Sequence, residues 1–336
     1  MINAHALNEV AKTLLARGKG ILAADESSAT AGKRFEKLGI LSVPETHAEY
    51  REMLFTTPGL NQYISGVIMY DETIRQHSSD NRSFVSVLQS QGILPGIKVD
   101  LGTEPMPGSP EEKITTGFDG LSERLAEYAR LGAVFAKWRA VITIGKGLPT
   151  NENILANAKD LAMYARACQE AGIVPIVEPE ILMDGNHTQK ECYDAAYRTL
   201  KDVFNELRSA GVAIDGMILK TSMVTPGSGF GVHASPDEVA DMTVKLFRET
   251  LPLELPGQAF LSGGETEIEA TQNLQAIAKS GPFPWAITFS YGRALQDSAL
   301  ATWAGIKSRV PEAQEKLLKR AKMNSLASMG EYSGEE

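Results

Sequence analysis

Cysteine is scarce in this sequence: Cys168 and Cys192 are the two present, both lie in segments of helical spacing, and they form no C-x-x-C pair. Neither a disulfide framework nor a thiolate zinc site is expected, and a reducing, cytoplasmic setting fits. Long apolar runs are missing as well. No stretch approaches the ~20 apolar residues that a membrane-spanning helix needs. The segment from Met1 to Arg17 spaces Leu7, Val10 and Leu14 as a helix, with Glu9 and Lys12 between them, and lacks the basic start and unbroken apolar core of a signal peptide. It is read as an N-terminal helical extension. Positive charge is in the minority, with 33 basic against 42 acidic residues and a net charge of -9, which argues against tracking nucleic-acid phosphates. The five histidines, His5, His47, His77, His187 and His233, form no H-x-x-x-H pair, and His47-Ala-Glu49 has no cysteines to complete a zinc site. They are read as surface or capping residues, and no metal is expected.

What is present is a repeated alternation. Eight short apolar segments rich in Val, Ile, Leu or Phe read as buried strands: Gly18 to Asp25, Tyr63 to Asp71, Ile93 to Asp100, Ala133 to Ile144, Ile173 to Leu182, Gly216 to Val224, Gln258 to Gly263 and Trp285 to Ser290. Helical patterns separate them. Leu121, Leu125 and Tyr128 precede Gly132, and Ile154, Ala158, Leu161, Ala165 and Cys168 precede Gly172. Capping boxes at Ser235-Pro-Asp-Glu238 and Thr266-Glu-Ile-Glu269 mark two helix starts. Alternating strands and helices imply parallel pairing, and no Gly-rich dinucleotide fingerprint follows the first strand. The expected fold is therefore a single α/β domain over residues 1–336, a (β/α)8 TIM barrel with the N-terminal extension and a short C-terminal helical segment. The segments Thr103 to Thr116 and Thr225 to Ala234 read as long, loose connections and candidate lids.

Charged residues gather where the predicted strands end, the face that carries chemistry in barrel enzymes. Asp25 ends the first, Lys98 and Asp100 the third; Lys137 and Arg139 lie in the fourth, Glu178 and Glu180 in the fifth, and Lys220 in the sixth. Three of these are i, i+2 pairs, which in a strand point to one face, here the barrel interior. Taken alone, Lys220 in Gly216-Met-Ile-Leu-Lys-Thr-Ser-Met-Val224 also fits a strand-edge lysine whose charge stays in water. A ring of lysines and carboxylates at matching depth costs too much desolvation to be incidental, and it turns the reading toward an active site. In such a ring Lys220 is a candidate nucleophile for a carbonyl, helped by Lys137. Glu178 and Glu180 are candidates for proton transfer to a carbinolamine, and Asp25 for a second transfer at another carbon.

Anion sites form the second theme. Leu261-Ser-Gly-Gly-Glu265 leads from the seventh strand into a capped helix, and Ser290-Tyr-Gly-Arg293 follows the eighth and adds a guanidinium. Backbone N–H groups and a helix dipole converge there, at the recurrent phosphate site of barrel enzymes. A second anion site is expected where Asp25-Glu-Ser-Ser-Ala-Thr30 leads into Lys33 and Arg34.

At these residues the chain resembles class I fructose-1,6-bisphosphate aldolases. The resemblance rests on seven ordered motifs between about Gly20 and Gly330: Gly20-Ile-Leu-Ala-Ala-Asp-Glu-Ser27, Gly96-Ile-Lys-Val-Asp100, Phe135-Ala-Lys-Trp-Arg139, Ile176-Val-Glu-Pro-Glu180, Leu219-Lys-Thr-Ser-Met-Val-Thr-Pro-Gly227, Phe260-Leu-Ser-Gly-Gly264 and Thr288-Phe-Ser-Tyr-Gly-Arg-Ala-Leu-Gln296. It implies a (β/α)8 enzyme of glycolysis and gluconeogenesis that reversibly cleaves fructose 1,6-bisphosphate into dihydroxyacetone phosphate and glyceraldehyde 3-phosphate, without a cofactor, through a covalent Schiff base on Lys220. It further implies that Glu178 is the acid/base of carbinolamine chemistry, that Asp25 helps deprotonate the C4 hydroxyl, and that Lys137, Glu180, Lys98 and Arg139 position and stabilise. Ser262, Gly263, Gly264, Ser290, Gly292 and Arg293 are expected to hold the phosphate of the ketone half, and Ser27, Thr30 and Arg34 to bear on the other phosphate. Phosphorylated ketoses and trioses are the implied partners, with neither nucleic acid nor membrane, and relatives imply a homotetramer. Two departures stand out. The sequence stops at Glu336, soon after Asn324-Ser-Leu-Ala-Ser-Met-Gly-Glu-Tyr332, without the longer tyrosine-ended tail of animal members that favours the bisphosphate; Thr221-Ser222 stands where those members have Pro-Asn. An alternative preference for sedoheptulose 1,7-bisphosphate or fructose 1-phosphate is therefore kept open.

Overall fold

The computed structural model describes residues 2–335. Its strands are β1 (Gly20–Ala24), β2 (Ile64–Met69), β3 (Leu94–Lys98), β4 (Gly102–Met106), β5 (Ser109–Thr116), β6 (Phe135–Ile142), β7 (Val174–Ile181), β8 (Ile218–Thr221), β9 (Gly257–Phe260) and β10 (Ala286–Tyr291). All except β4 and β5 close into a parallel barrel in chain order, with β10 returning to β1. This is the (β/α)8 barrel expected from the alternation, and every one of the eight predicted strands contributes to it.

Alternation along each strand divides the interior from the helix layer. Inward residues at the N-terminal end are apolar: Ile21, Ile68, Phe135, Val174, Ile176, Ile218 and Ala259 form one buried cluster. The helix Ala4–Leu14 seals that end, adding Leu7, Ala11 and Leu14 to the same cluster. Its apolar stripe closes the floor of the barrel. Phe135 is the large element of the floor, and it fits because its neighbours are glycines: a Cβ on Gly96 would lie 2.3 Å from the ring, and one on Gly66 3.1 Å from it. Outward residues such as Trp138 pack against the helices, with Trp138 4.6 Å from Phe118 and 5.6 Å from Tyr164 between ring centroids.

The predicted helix signals are realised. Gly132 caps Leu121–Leu131 in the left-handed conformation, and the boxes at Ser235 and Thr266 start Pro236–Thr250 and Glu267–Lys279. A further box, Thr188 with Glu191, starts Gln189–Ser209. The C-terminal helical segment is the 19-residue helix Val310–Ser328, which buries Leu317, Ala321 and Asn324. Tyr332, beyond it, donates its backbone N–H to Gln275 and its hydroxyl to Glu335, and it packs against the helix layer. Among the described residues no helix is long and apolar enough to cross a membrane.

Both connections expected to be loose are fastened. Residues Thr103 to Thr116 form an antiparallel ribbon, β4 with β5. Its prolines are compatible with that ladder because both strands of a two-stranded ribbon are edges. The fully buried Glu112 carboxylate accepts from Thr150 N and Oγ1 at 2.8 and 2.7 Å, and Asn153 and Asn157 donate to Lys113 O. The segment Thr225 to Ala234 has no regular structure, yet Gly227, Ser228 and Gly229 donate to the carbonyls of His187, Met183 and Gly185 at 2.7–2.8 Å. A Cβ on Gly227 would lie 2.4 Å from the Gly185 oxygen, so the close approach requires glycine.

The floor packing is testable. Gly96→Ala drives a Cβ into the Phe135 ring and is expected to cost about 1–3 kcal/mol, read as a lower urea midpoint, with part of the loss recovered in Gly96→Ala/Phe135→Leu. An unchanged midpoint in the single variant contradicts the packing described.

Candidate active site

Above the apolar floor the inward positions become charged. The change occurs within single strands: Phe135 gives way to Lys137 two residues on, Ile176 to Glu178 and Ile218 to Lys220. Register then fixes the neighbours. Val177 pairs with Leu219, so Glu178 and Lys220, the next residues, stand side by side; Lys98 pairs with Lys137.

A line of alternating charge results. Lys220 Nζ lies 3.1 Å from Glu178 Oε1, Lys137 Nζ lies 3.3 Å from Glu178 Oε2, and Lys137 Nζ lies 2.7 Å from Asp25 Oδ2. The two amines are thus joined through one carboxylate. Lys220, Lys137 and Glu178 are at most 4% exposed. Burial of this kind carries a desolvation cost of several kcal/mol per ion unless each charge has partners. Burial opposes the charge of Asp25, but Lys137, then Lys220 and Lys98, outweigh it and hold its carboxyl down at about 2. Burial likewise opposes the Lys137 ammonium, and Asp25 and Glu178 reverse the effect and hold it well above the ordinary lysine value. Glu178 Oε2 is buried and, among the described residues, accepts no well-aligned hydrogen bond.

A second tier surrounds this line. Arg139 pairs with Glu180, and Lys98 Nζ lies 2.6 Å from Asp100 Oδ1. Asp100 also accepts from Arg139 N and Gly102 N, so it ties three elements together. The two glutamates read as proton-transfer candidates therefore have different partners: Glu178 faces the lysines and Glu180 the guanidinium. Ser222 Oγ accepts from Ile181 N at 3.1 Å and donates to Ile181 O at 3.0 Å, fastening the ends of β7 and β8 just beyond Glu180 and Lys220.

The turns expected to hold anions lie around the rim. Gly263 and Gly264 have φ of 55° and 113°, and Glu265 N donates to Ser262 O at 2.8 Å, giving a tight turn into Glu267–Lys279. Across from it, Ser290 Oγ is buried without a partner among the described residues, and Arg293 Nη2 would stand 3.8 Å from a Cβ on Gly264. A buried, unpartnered hydroxyl beside a guanidinium and a helix N-terminus suits an anion. Near β1, Ser27 caps the helix Ser28–Glu36 and its Oγ lies 3.1 Å from Thr30 Oγ1. Arg34, by contrast, is held by Glu26, Gln296 and Asp297, so Lys33 and Lys37 are the cations on that part of the rim without such ties among the described residues.

The structure brings the sequence-predicted residues together in one cavity of about 590 Å³, lined by Asp25, Ser27, Thr30, Arg34, Lys98, Lys137, Arg139, Glu178, Glu180, Lys220, Ser262, Gly263, Ser290, Gly292 and Arg293. Gly264 lies just outside its lining. Tyr70 also lines it, with Lys98 Nζ 6.0 Å from its ring centroid, as does the ribbon residue Thr103. Sequence reasoning missed Tyr70 and Glu26 as members of the site and Ser222 as the clamp beside it. Ser222 stands at the same i, i+2 spacing from Lys220 that marks the charged pairs on the other strands. Two histidines need correcting: His47 is buried between Ser42 and Glu72, and His187 is buried with both ring nitrogens unpartnered. Both are interior residues: His47 lies on the buried side of the helix Pro44–Phe55 against Phe35, and His187 packs against Gly227. His5, His77 and His233 are exposed, and among the described residues no three metal-ligating side chains come together.

Known proteins match this chain end to end. The family described as fructose-bisphosphate aldolase class-I matches residues 6–336. A protein named probable fructose-bisphosphate aldolase class 1 from Xylella fastidiosa is 48% identical over 98% of both chains. Fructose-bisphosphate aldolase 4, cytosolic, from Arabidopsis thaliana is 49% identical over 95% of this chain and 81% of its own. Among solved structures, fructose-bisphosphate aldolase from Plasmodium falciparum, in a ternary co-crystal with TRAP and a small-molecule inhibitor, superposes with a TM-score of 0.97 at 47% identity, covering 98% of this chain and 96% of that one. Identity near one half along the whole length, on a barrel whose mouth carries the motifs of the resemblance, shows that the chain belongs to the class I fructose-bisphosphate aldolase family.

Proposed function

We propose that this enzyme cleaves fructose 1,6-bisphosphate reversibly through a Schiff base on Lys220. The observation that carries the reading is the single carboxylate of Glu178 bridging the Lys220 and Lys137 amines in a buried mouth. The Lys220 amine must shed its proton to attack, and Glu178, 3.1 Å away, is placed to take it. Attack at the ketose C2 gives a carbinolamine. Glu178 then returns a proton to the departing hydroxyl, water leaves, and an iminium remains.

Asp25 takes the proton from the C4 hydroxyl as the C3–C4 bond breaks. The bonding electrons move into the iminium and form an enamine, and glyceraldehyde 3-phosphate leaves. Protonation at C3 and hydrolysis return the amine and release dihydroxyacetone phosphate. The electron sink is the iminium, so the scheme calls for neither metal nor added cofactor. Lys137 keeps Asp25 ionised before the C4 proton is transferred to it; Glu180, Arg139 and Lys98 hold the outer tier. The ketone-side phosphate sits at Ser262, Gly263, Gly264, Ser290, Gly292 and Arg293. The other lies toward Ser27, Thr30, Lys98 and Arg139, with Arg34 acting mainly to order Glu26. A homotetramer in the cytoplasm, each chain one domain, completes the reading by analogy with the family.

Lys220→Met is expected to abolish cleavage with an unchanged circular dichroism spectrum, and measurable turnover in that variant contradicts the nucleophile. Asp25→Asn is expected to lower kcat for cleavage by about 10²–10⁴-fold while solvent-deuterium exchange into dihydroxyacetone phosphate persists, because that exchange needs the Schiff base but no C4 proton transfer. Equal loss of both activities would show that Asp25 serves Schiff-base formation instead. The ratio of kcat/KM for fructose 1,6-bisphosphate over fructose 1-phosphate tests the second phosphate site; a ratio near one removes it from the scheme.

A further inference from the structure

Glu265 stands between the Ser262-Gly263-Gly264 turn and Thr266, the N-cap of the helix Glu267–Lys279. The helix start does not depend on it. Glu269 closes the capping box, accepting from Thr266 N at 2.9 Å and Thr266 Oγ1 at 2.8 Å. Glu267 is occupied elsewhere, accepting from Ser298 N and Oγ, both at 3.0 Å. Glu265 accepts a short hydrogen bond from the Asn273 amide, and among the described residues no lysine, arginine or histidine lies within ion-pair distance of it.

The groups facing it come from seven elements. Glu269 and Asn273 lie on its own helix; Met183 follows β7, Ser222 and Thr225 follow β8, and Ser262 is in the turn. Tyr291 ends β10, with Arg320 of Val310–Ser328 near that ring, and Arg293 stands beyond Gly264. Burial pushes the Glu265 carboxyl up, the Asn273 amide holds it back, and Glu269 adds to the rise, which leaves it at about 7.

We propose that the charge of Glu265 sets the affinity of the Ser262–Gly264 turn for the substrate's phosphate. Neutral, the carboxyl leaves the field of the helix N-terminus and of Arg293 to the incoming anion. Ionised, it occupies that field itself and repels the dianion. The inference rests on the assignment of a substrate phosphate to this turn.

The test is a comparison of KM and kcat for fructose 1,6-bisphosphate between about pH 6 and about pH 8.5 in the full-length enzyme and in Glu265→Gln, which keeps the shape and the Asn273 contact. Taking the ratio of the two KM values at each pH cancels the ionisation of the substrate itself. The expected result is a ratio, native over variant, that rises about fivefold with pH while the kcat ratio stays level. Asn273→Leu removes the donor that favours the carboxylate, and it is expected to move the midpoint of the native-type KM rise to higher pH. A pH-independent KM ratio overturns the inference. Ser262→Ala separates the two ways of failing: if it raises KM while the Glu265 ratio stays flat, the phosphate turn stands and Glu265 has no part in it. If Ser262→Ala leaves KM unaltered, the turn is not the phosphate site and both assignments fall.

Discussion

Four charges buried in one line, Lys220, Glu178, Lys137 and Asp25, form the constraint to which the rest of the molecule answers. Any one of them left alone in the barrel mouth carries a penalty of several kcal/mol, whereas alternation of sign at 2.7–3.3 Å compensates all four. That compensation holds only if β1, β6, β7 and β8 keep their register, because a slip of one residue turns each side chain toward the helices. Closure of the barrel enforces the register. The apolar floor under Phe135 and the plugging helix Ala4–Leu14 supply the burial that keeps it closed.

The same line accounts for the fastening of the mouth. Ser222 stitches β7 to β8, Asp100 links β3, β6 and the ribbon, and the ribbon is itself fastened through Glu112 and Lys113. The proton transfer proposed between the Lys220 amine and the Glu178 carboxylate needs those atoms held within fractions of an ångström. Adaptable contacts are left to the rim, where Lys33 and Lys37 extend toward solvent.

Much of this is legible in the amino-acid order alone. The i, i+2 pairs Lys137/Arg139 and Glu178/Glu180 announce both a strand and an interior face, since an apolar run tolerates charge at alternate positions only where those side chains meet partners or water. The eight strands and the two turns proposed for anions follow from the same alternation and from Gly and Ser placement. What stays hidden depends on long-range pairing. The ribbon at Thr103 to Thr116 carries prolines that look like loop signals, and only its docking on Asn153 and Asn157 makes it a sheet. Arg34 looks like an anion ligand by composition; that Glu26 and Asp297 claim it is a property of the folded surface. The burial of His47 against Phe35 and of His187 against Gly227 likewise comes from long-range packing, which local spacing does not encode.

The measurement closest to the central claim is borohydride reduction of the enzyme in the presence of dihydroxyacetone phosphate, followed by peptide mapping. The account predicts one covalent adduct per chain, on Lys220, forming more slowly in Glu178→Gln. An adduct on Lys137 or Lys98 instead, or none at all while cleavage proceeds, would contradict it.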